Sequence, residues 1–162
     1  MLKKNAIIIL TLLLIFTAIL PTAAYQPQDI TQDHWALKYI SPLLDKGIMY
    51  VYKNGNFNPN QAITRGEFAY SLAKALKLQP TIISELTDIT NHTSKGYISA
   101  LVQQGIITGY PDKTFRPYNK ITRAEIITML GRSLKLNEEQ KRIEVKNSFY
   151  RDVDQNHWAR NL

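Results

Sequence analysis

Two segments of the chain carry apolar residues at four-residue spacing directly after the sequence Thr-Arg-x-Glu. The apolar positions are Phe68, Leu72 and Leu76 in the first segment and Ile126, Leu130 and Leu134 in the second. Four-residue spacing places side chains along one face of a helix, which can then be buried. Thr followed three residues later by Glu is typical of a capping box at a helix N-terminus. The pattern predicts two amphipathic helices, starting at Thr64 and Thr122.

A further helix is predicted before each of these segments. Trp35, Tyr39 (or Ile40) and Leu43 recur at helical spacing, and a tryptophan at such spacing is more often a core residue than a binding residue. The second copy offers Tyr97, Ile98, Leu101 and Val102, followed by Gly105. The sequence therefore predicts two helices in each half of the chain, joined by an extended loop.

The ends of the first of these helices are marked by residues with special backbone properties. Asp33 can cap its start, and Gly47 is in place for a left-handed stop at its end. Pro42 lies inside the segment and lacks a backbone N–H group. It should bend the helix or restrict the regular part to the residues before Ser41.

The order of elements occurs twice because the chain contains an internal repeat of 58 residues. Residues 57–67 and 115–125 share Phe, Pro, Ile, Thr, Arg and Glu at identical spacing, and residues 29–36 return in part as residues 152–159. A period kept through loops and helices means that one supersecondary unit is used repeatedly. The sequence predicts a mainly α fold with two such units and the start of a third. Each loop should contain a turn, as Pro111 and Asp112 indicate in the second unit.

The N-terminal segment has the features of a secretory signal peptide. Lys3 and Lys4 precede 15 apolar or Thr residues, 6–20, and the segment then ends in Pro, Thr and two Ala residues. The apolar run is shorter than the roughly 20 residues that a transmembrane helix needs. We expect export with cleavage after Ala24, and membrane contact during export alone. No Cys follows the run, so a lipoprotein is excluded.

Composition narrows the classes of function without selecting one. The chain has no Cys, which rules out a disulfide framework, a thiolate metal site and a Cys nucleophile. Its net charge of +7 falls to +5 when Lys3 and Lys4 are removed. A basic exported protein favours an anionic partner such as an acidic polysaccharide, lipid headgroups or the wall. The Lys and Arg residues are dispersed, which disfavours a nucleic-acid partner.

The arginine of the Thr-Arg-x-Glu sequence is not explained by helix capping. Arg65 and Arg123 both lie in the first turn of a helix, where the dipole disfavours a cation by roughly 0.3–1 kcal/mol. The helix N-terminal amides and a guanidinium together could form a site for a carboxylate or phosphate. The alternative is that each arginine pairs with an Asp of a neighbouring repeat.

The chain resembles the S-layer homology domains of exported bacterial proteins over residues 29–159. The resemblance rests on the Asp-x-x-x-x-His-Trp-Ala opening, the Gly-Tyr-Pro-Asp-x-x-Phe-x-Pro loop at 109–117 and Ile-Thr-Arg-Ala-Glu at 121–125. It implies three units in a pseudo-threefold bundle whose grooves hold a secondary cell-wall polymer, often with a pyruvylated sugar. The implied boundaries are a signal peptide at 1–24, repeats at 25–86 and 87–147, and a truncated third repeat at 148–162.

The resemblance also assigns roles to particular residues. Arg65 and Arg123 would contact the carboxylate, and Gly109 would allow close approach of the backbone to the polymer. Residues that would order the helix starts are Thr64, Glu67, Thr122 and Glu125. Trp35 and Trp158 match the family's aromatic position. Val51 stands where Gly109 stands in the second unit, and Gly66 replaces the usual Ala, which makes the first site the weaker candidate.

These implications make a non-catalytic module that anchors an exported protein to the cell wall the leading hypothesis. An interaction protein that associates with other S-layer homology or S-layer chains is the second. A fragment of a wall-active hydrolase is third, since His34, His92 and His157 have no paired nucleophile or metal-ligand spacing and suit capping or packing. No cofactor, metal or catalytic residue is predicted.

Overall fold

The computed structural model describes residues 26–135, which contain four helices in two pairs. They are α1 (Leu37–Asp45), α2 (Arg65–Ala75), α3 (Lys95–Gln103) and α4 (Arg123–Ser133). Within this range there is no strand, and one isolated antiparallel bridge joins Thr64 to Lys120. None of these helices is long and apolar enough to cross a membrane. The mainly α prediction is confirmed, whereas the predicted signal peptide and third repeat lie outside the described residues.

The capping boxes predicted for α2 and α4 are both present. In α2, Thr64 Oγ1 accepts a hydrogen bond from the N–H of Glu67 at 3.2 Å, and Glu67 Oε2 accepts from the N–H of Thr64 at 2.8 Å. In α4 the same two bonds join Thr122 and Glu125, at 3.3 and 2.9 Å. The two helices therefore begin where the sequence pattern predicts.

The start of α1 differs from the prediction. The helix begins at Leu37 and has no side-chain cap, so the prediction that Asp33 caps it is wrong. Instead, Nδ1 of His34 accepts a hydrogen bond from the N–H of Ala36, and His92 makes the matching bond in the second repeat. These two histidines thus stabilise the turn before each helix without capping it, and His157 lies outside the described residues.

The helix α1 ends as Gly47 predicts, but Pro42 does not shorten it. The helix continues through Pro42 to Asp45, so the prediction that it stops before Ser41 is wrong. Gly47 has a φ of +61°, and the following N–H, of Ile48, donates to the carbonyl of Leu43 at 2.8 Å. This is the bond of a Schellman stop, and it confirms the predicted left-handed end.

Trp35 and Tyr39 are not core residues. Trp35 is 78% exposed and Tyr39 is 59% exposed, whereas Ala36 and Ile40 are buried. Because the helix begins two residues after Trp35, helical spacing does not apply at that position. The core interpretation of Trp35 is wrong, and the buried face of α1 lies one residue away from the predicted one.

The main hydrophobic core extends across the boundary between the repeats. It joins α2 of the first repeat to α3, α4 and the loop of the second. Its buried members are Ala69, Leu72, Ala73, Leu86, Ile89, Ile98, Leu101, Ile106, Ile107, Phe115 and Met129. A smaller cluster of Ile30, Ala36 and Ile40 lies under α1. Leu134, predicted to be buried, is 65% exposed at the end of α4. The first repeat thus contributes one of its two helices to the core of the second.

Candidate functional site

Arg65 extends from the start of α2 into the second repeat. Its Nε donates a hydrogen bond to the carbonyl of Phe115 at 2.8 Å, and its Nη1 forms an ion pair with Glu125 Oε1 at 2.8 Å. The guanidinium carbon lies 5.0 Å from the ring centre of Tyr110 and 4.6 Å from that of Phe115. The residue is only 5% exposed. Arg65 is therefore a buried cation whose charge is balanced by a neighbouring repeat's Glu rather than by the predicted Asp.

Glu125 is held as a carboxylate by several donors besides Arg65. The hydroxyl of Tyr110 donates to Oε1 at 2.7 Å, and the backbone and side chain of Thr122 donate to Oε2. Burial alone would raise the pKa of Glu125, but the Thr122 and Tyr110 hydrogen bonds and the Arg65 charge outweigh it and lower the pKa. The carboxylate is thus ionised at neutral pH.

The amide groups at the start of α2 are already occupied. The N–H of Arg65 donates to the carbonyl of Asn119, and the N–H of Gly66 donates to the carbonyl of Pro117. The prediction that helix N-terminal amides form part of an anion site is therefore wrong for α2. A Cβ at Gly66 would lie 2.6 Å from the His92 ring and 3.0 Å from the Pro117 carbonyl. Glycine at this position thus permits the close approach of the two repeats.

A groove of about 490 Å³ opens beside the ion pair, and we call it the second-repeat groove. Its lining is Arg65, Ile106, Ile107, Thr108, Gly109, Tyr110, Pro111, Glu125, Thr128, Met129 and Arg132. The apolar side chains form one wall, and two guanidinium groups and one carboxylate supply the charge. Such a groove can bind a ligand that has an apolar or sugar face and an anionic group.

Gly109 lies in this groove, where its backbone requires a glycine. Its φ is +71°, and a Cβ would lie 2.5 Å from a methyl of Leu86 and 3.0 Å from the carbonyl of Thr114. Any side chain here would be strained and would clash. Glycine at this residue therefore permits the close approach of Leu86 and of the Thr114 carbonyl.

The loop below the groove is fixed by an aspartate. The two carboxylate oxygens of Asp88 accept hydrogen bonds from the N–H groups of Phe115 and Arg116, at 2.8 and 2.7 Å. The N–H of Lys113 donates to the carbonyl of Tyr110 at 2.9 Å, which confirms the β-turn predicted from Pro111 and Asp112. Asp29 binds the matching loop of the first repeat in the same way. The repeated Asp thus positions each loop.

The predicted site residues lie in different places. Arg65, Gly109 and Glu125 come together in the groove, and Thr122 contacts Glu125. Arg123 is exposed at the start of α4. Trp35 lies on a separate surface with the ring of His34 stacked against it at 5.8 Å, Thr64 and Glu67 cap α2, and Trp158 lies outside the described residues. Among residues 26–135, no group of His, Asp and Glu side chains could hold a metal ion.

Eight of the eleven groove-lining residues were missed by sequence reasoning, among them Tyr110, Thr128 and Arg132. Tyr110 recurs as Tyr52, and both hydroxyls donate to the Glu of the capping box, so the repeat itself carried a signal. Arg132 lies seven residues after Glu125, two helical turns along the same face. Thr128, between them, has no recognisable signal, because a Thr within a helix is usually unremarkable.

Comparison with known proteins agrees with this architecture. Residues 28–69 and 85–127 match the S-layer homology domain. A cellulosome-anchoring protein of Acetivibrio thermocellus is 36% identical over 138 residues, which are 82% of this chain and 30% of that protein. Cell surface glycoprotein 1 of the same organism is 32% identical over 143 residues, 81% of this chain and 6% of the glycoprotein. An S-layer protein of Bacillus licheniformis is 32% identical over 117 residues, 68% of this chain and 13% of its own.

A tandem-repeat helical fold with a charged groove between its repeats defines a class of modular binding domain. The chain belongs to the S-layer homology domain family, which matches both repeats. The family and these relatives support a location at the cell wall or cell surface. The chain spans less than a third of the length of the first two relatives.

Proposed function

We propose that this chain is a non-catalytic anchoring module that binds an anionic, pyruvylated secondary cell-wall polymer attached to peptidoglycan. It would hold an exported protein at the surface of a Gram-positive-type envelope. The observation that carries the proposal is the open groove between two repeats, lined by apolar side chains and two arginines. The name of the cellulosome-anchoring relative supports the same role.

The chemistry of the groove suits a sugar that bears a carboxylate. The apolar wall can cover a sugar face, and a guanidinium can form charge-assisted hydrogen bonds with the carboxylate of a pyruvate ketal. In this proposal Arg65 and Arg123 contact such groups, Gly109 admits the polymer, and the Thr and Glu residues order the helix starts. In this proposal the exposed ring of Trp35 stacks on sugar.

The finer architecture belongs to the same proposal. Residues 1–24 would direct export, residues 25–86 and 87–147 would form two repeats, and residues 148–162 would begin a third in a pseudo-threefold bundle. Arg123 would then serve the groove that α4 shares with the third repeat, as Arg65 serves the groove shared with the second.

Co-sedimentation of the exported chain with purified wall sacculi tests this function. Binding should be lost when mild acid removes the attached polymer and its ketal groups. Arg123→Ala should weaken binding without unfolding the chain, because this side chain is exposed. Equal sedimentation with intact and stripped sacculi would refute the proposal, and full binding by Arg123→Ala would refute the role of that residue.

A second candidate function is association with other S-layer homology or S-layer chains. It is favoured by one comparison, the similarity of this chain to an S-layer protein of Bacillus licheniformis. Light scattering separates the two functions. A chain that is monomeric at all concentrations and still binds sacculi would exclude association as its main role.

A further inference from the structure

The residues that line the second-repeat groove differ from their counterparts in the first repeat, although the two repeats share a common pattern. Positions 58 residues apart can be compared directly along the lining of the groove. Thr108, Gly109 and Thr128 of the second repeat correspond to Tyr50, Val51 and Tyr70 of the first. Small side chains in one copy are thus replaced by large ones in the other.

In the first repeat the two large aromatic side chains belong to a cluster of tyrosines. The rings of Tyr50 and Tyr70 pack edge to face at 5.3 Å, and Tyr70 contacts Tyr97 in the same way at 5.1 Å. The Tyr70 hydroxyl donates to the carbonyl of Gly47 at 3.2 Å, which joins α2 to the residue that ends α1. Burial, together with the neighbouring Glu67 carboxylate, raises the pKa of Tyr50 to about 12, so this ring remains neutral. These tyrosines thus stand at the sequence positions whose counterparts in the second repeat, Thr108 and Thr128, lie in the lining of the groove.

In the second repeat the same positions leave the groove open. The hydroxyl of Thr128 donates to the carbonyl of Ala124 within its own helix, at 2.8 Å, and does not cross the groove. Gly109 has no side chain, and its φ of +71° is a conformation that Val51 does not adopt. The resulting space is about 490 Å³.

The two arginines of the groove differ in whether their charge is paired with a carboxylate. Arg65 is neutralised by Glu125. Arg132 forms no ion pair with any residue in the range 26–135, and its Nη1 makes one long hydrogen bond, 3.4 Å, to the carbonyl of Ile106. Its counterpart in the first repeat is Lys74, whose ammonium lies 5.8 Å from the ring centre of Tyr97. The positive charge available to a ligand in the groove is therefore that of Arg132.

We propose that, of the two described repeats, only the second binds the anionic polymer, and that Arg132 is the specificity-determining cation of its groove. This inference rests on the function proposed above. It revises the contact proposed for Arg65: Arg65 holds Glu125 and the groove wall in position, and the guanidinium of Arg132, rather than that of Arg65, contacts the acidic group of the sugar. Tyr50 and Tyr70 close the equivalent surface of the first repeat and exclude the ligand there.

Equivalent substitutions in the two repeats test the cation. The exported chain would be titrated with a methyl glycoside of a pyruvylated hexosamine, and with the same glycoside lacking the ketal. Arg132→Gln should weaken binding of the pyruvylated probe by about tenfold or more, the effect of losing one charged hydrogen bond. Lys74→Gln, its matched control, should leave the affinity unchanged. Thermal unfolding of both variants checks that each is folded.

A second pair of variants tests the shape of the groove. Thr108→Tyr copies Tyr50 into an exposed position of the open groove and should abolish binding, whereas Tyr50→Thr should have no effect. Equal losses in Arg132→Gln and Lys74→Gln, or full binding by Thr108→Tyr, would overturn the inference while the anchoring function stands. If the unmodified chain does not sediment with intact sacculi, the function itself fails, and the inference fails with it.

Discussion

Arg65 and Glu125 form a buried ion pair, and replacing one or the other should lower the free energy of unfolding by different amounts. Arg65→Met removes the charge but retains an apolar stem against the rings of Tyr110 and Phe115. Glu125 then keeps its hydrogen bonds from Tyr110 and Thr122 and is 17% exposed, so we expect a loss of about 1–2 kcal/mol. Glu125→Gln instead leaves a guanidinium that is 6% exposed without a counter-charge, which should cost about 3 kcal/mol.

The double variant separates this explanation from simple loss of contacts. In Arg65→Met with Glu125→Gln, neither charge is left unpaired, so the free energy of unfolding should resemble that of Arg65→Met alone. The corresponding coupling energy has a magnitude of about 3 kcal/mol, the cost of Glu125→Gln that the double variant avoids. It can be measured by urea unfolding of the four proteins, followed by the helical circular dichroism signal.

Glu67→Gln provides the matched control on α2. Glu67 occupies the same capping-box position and accepts from Tyr52, but within residues 26–135 it has no ion pair. Its substitution should cost less than about 1.5 kcal/mol, the contribution of one ordinary hydrogen bond. A coupling energy near zero, or a larger loss for Arg65→Met than for Glu125→Gln, would refute the reasoning that Arg65 depends on Glu125 for its burial.

Two further predictions concern pH and packing at the same interface. Because the folded pKa of Glu125 is lowered from its ordinary value of 4.5, its stabilising effect is present above that value and is lost as the pH falls through the folded pKa. Urea unfolding across this acidic range should show a smaller decline for Glu125→Gln, and an unchanged decline would contradict the assignment. Gly66→Ala should destabilise the chain by about 1–2 kcal/mol, since its clash with the His92 ring exceeds the gain in helix propensity. The loss should shrink when His92 is also Ala, and an equal loss in both backgrounds would exclude that contact as the cause.

Helix ends that are fixed by contacts between residues close in the sequence could be predicted from the sequence. Thr64 and Thr122 start helices because a capping box is completed within four residues, and Gly47 ends one because its own backbone conformation allows it. The start of α1 was missed because the helix begins without a side-chain cap, after a turn in which His34 accepts from the N–H of Ala36. That shift of the helix start also moved Trp35 out of the predicted core.

The composition of the site could not be predicted in the same way. Arg65 and Glu125 are 60 residues apart, and the periodicity of each helix gives no information on how the repeats pack. Sequence comparison of the repeats did find the Gly109 and Val51 difference, but it could not show that tyrosines fill the first copy. That result depends on the direction of side chains such as Tyr70 and Thr128, which only three-dimensional packing determines.

Because α2 of the first repeat lies in the core of the second, the segment that packs around one core does not coincide with the segment that is repeated in the sequence. A cut between the two sequence repeats, between Leu86 and Thr87, would divide one cooperative core and leave α1 with only a small apolar cluster. A repeat therefore cannot be moved to another protein as an independent piece. Each copy completes its neighbour, so duplication of this sequence produces an interface and a new groove in the same step.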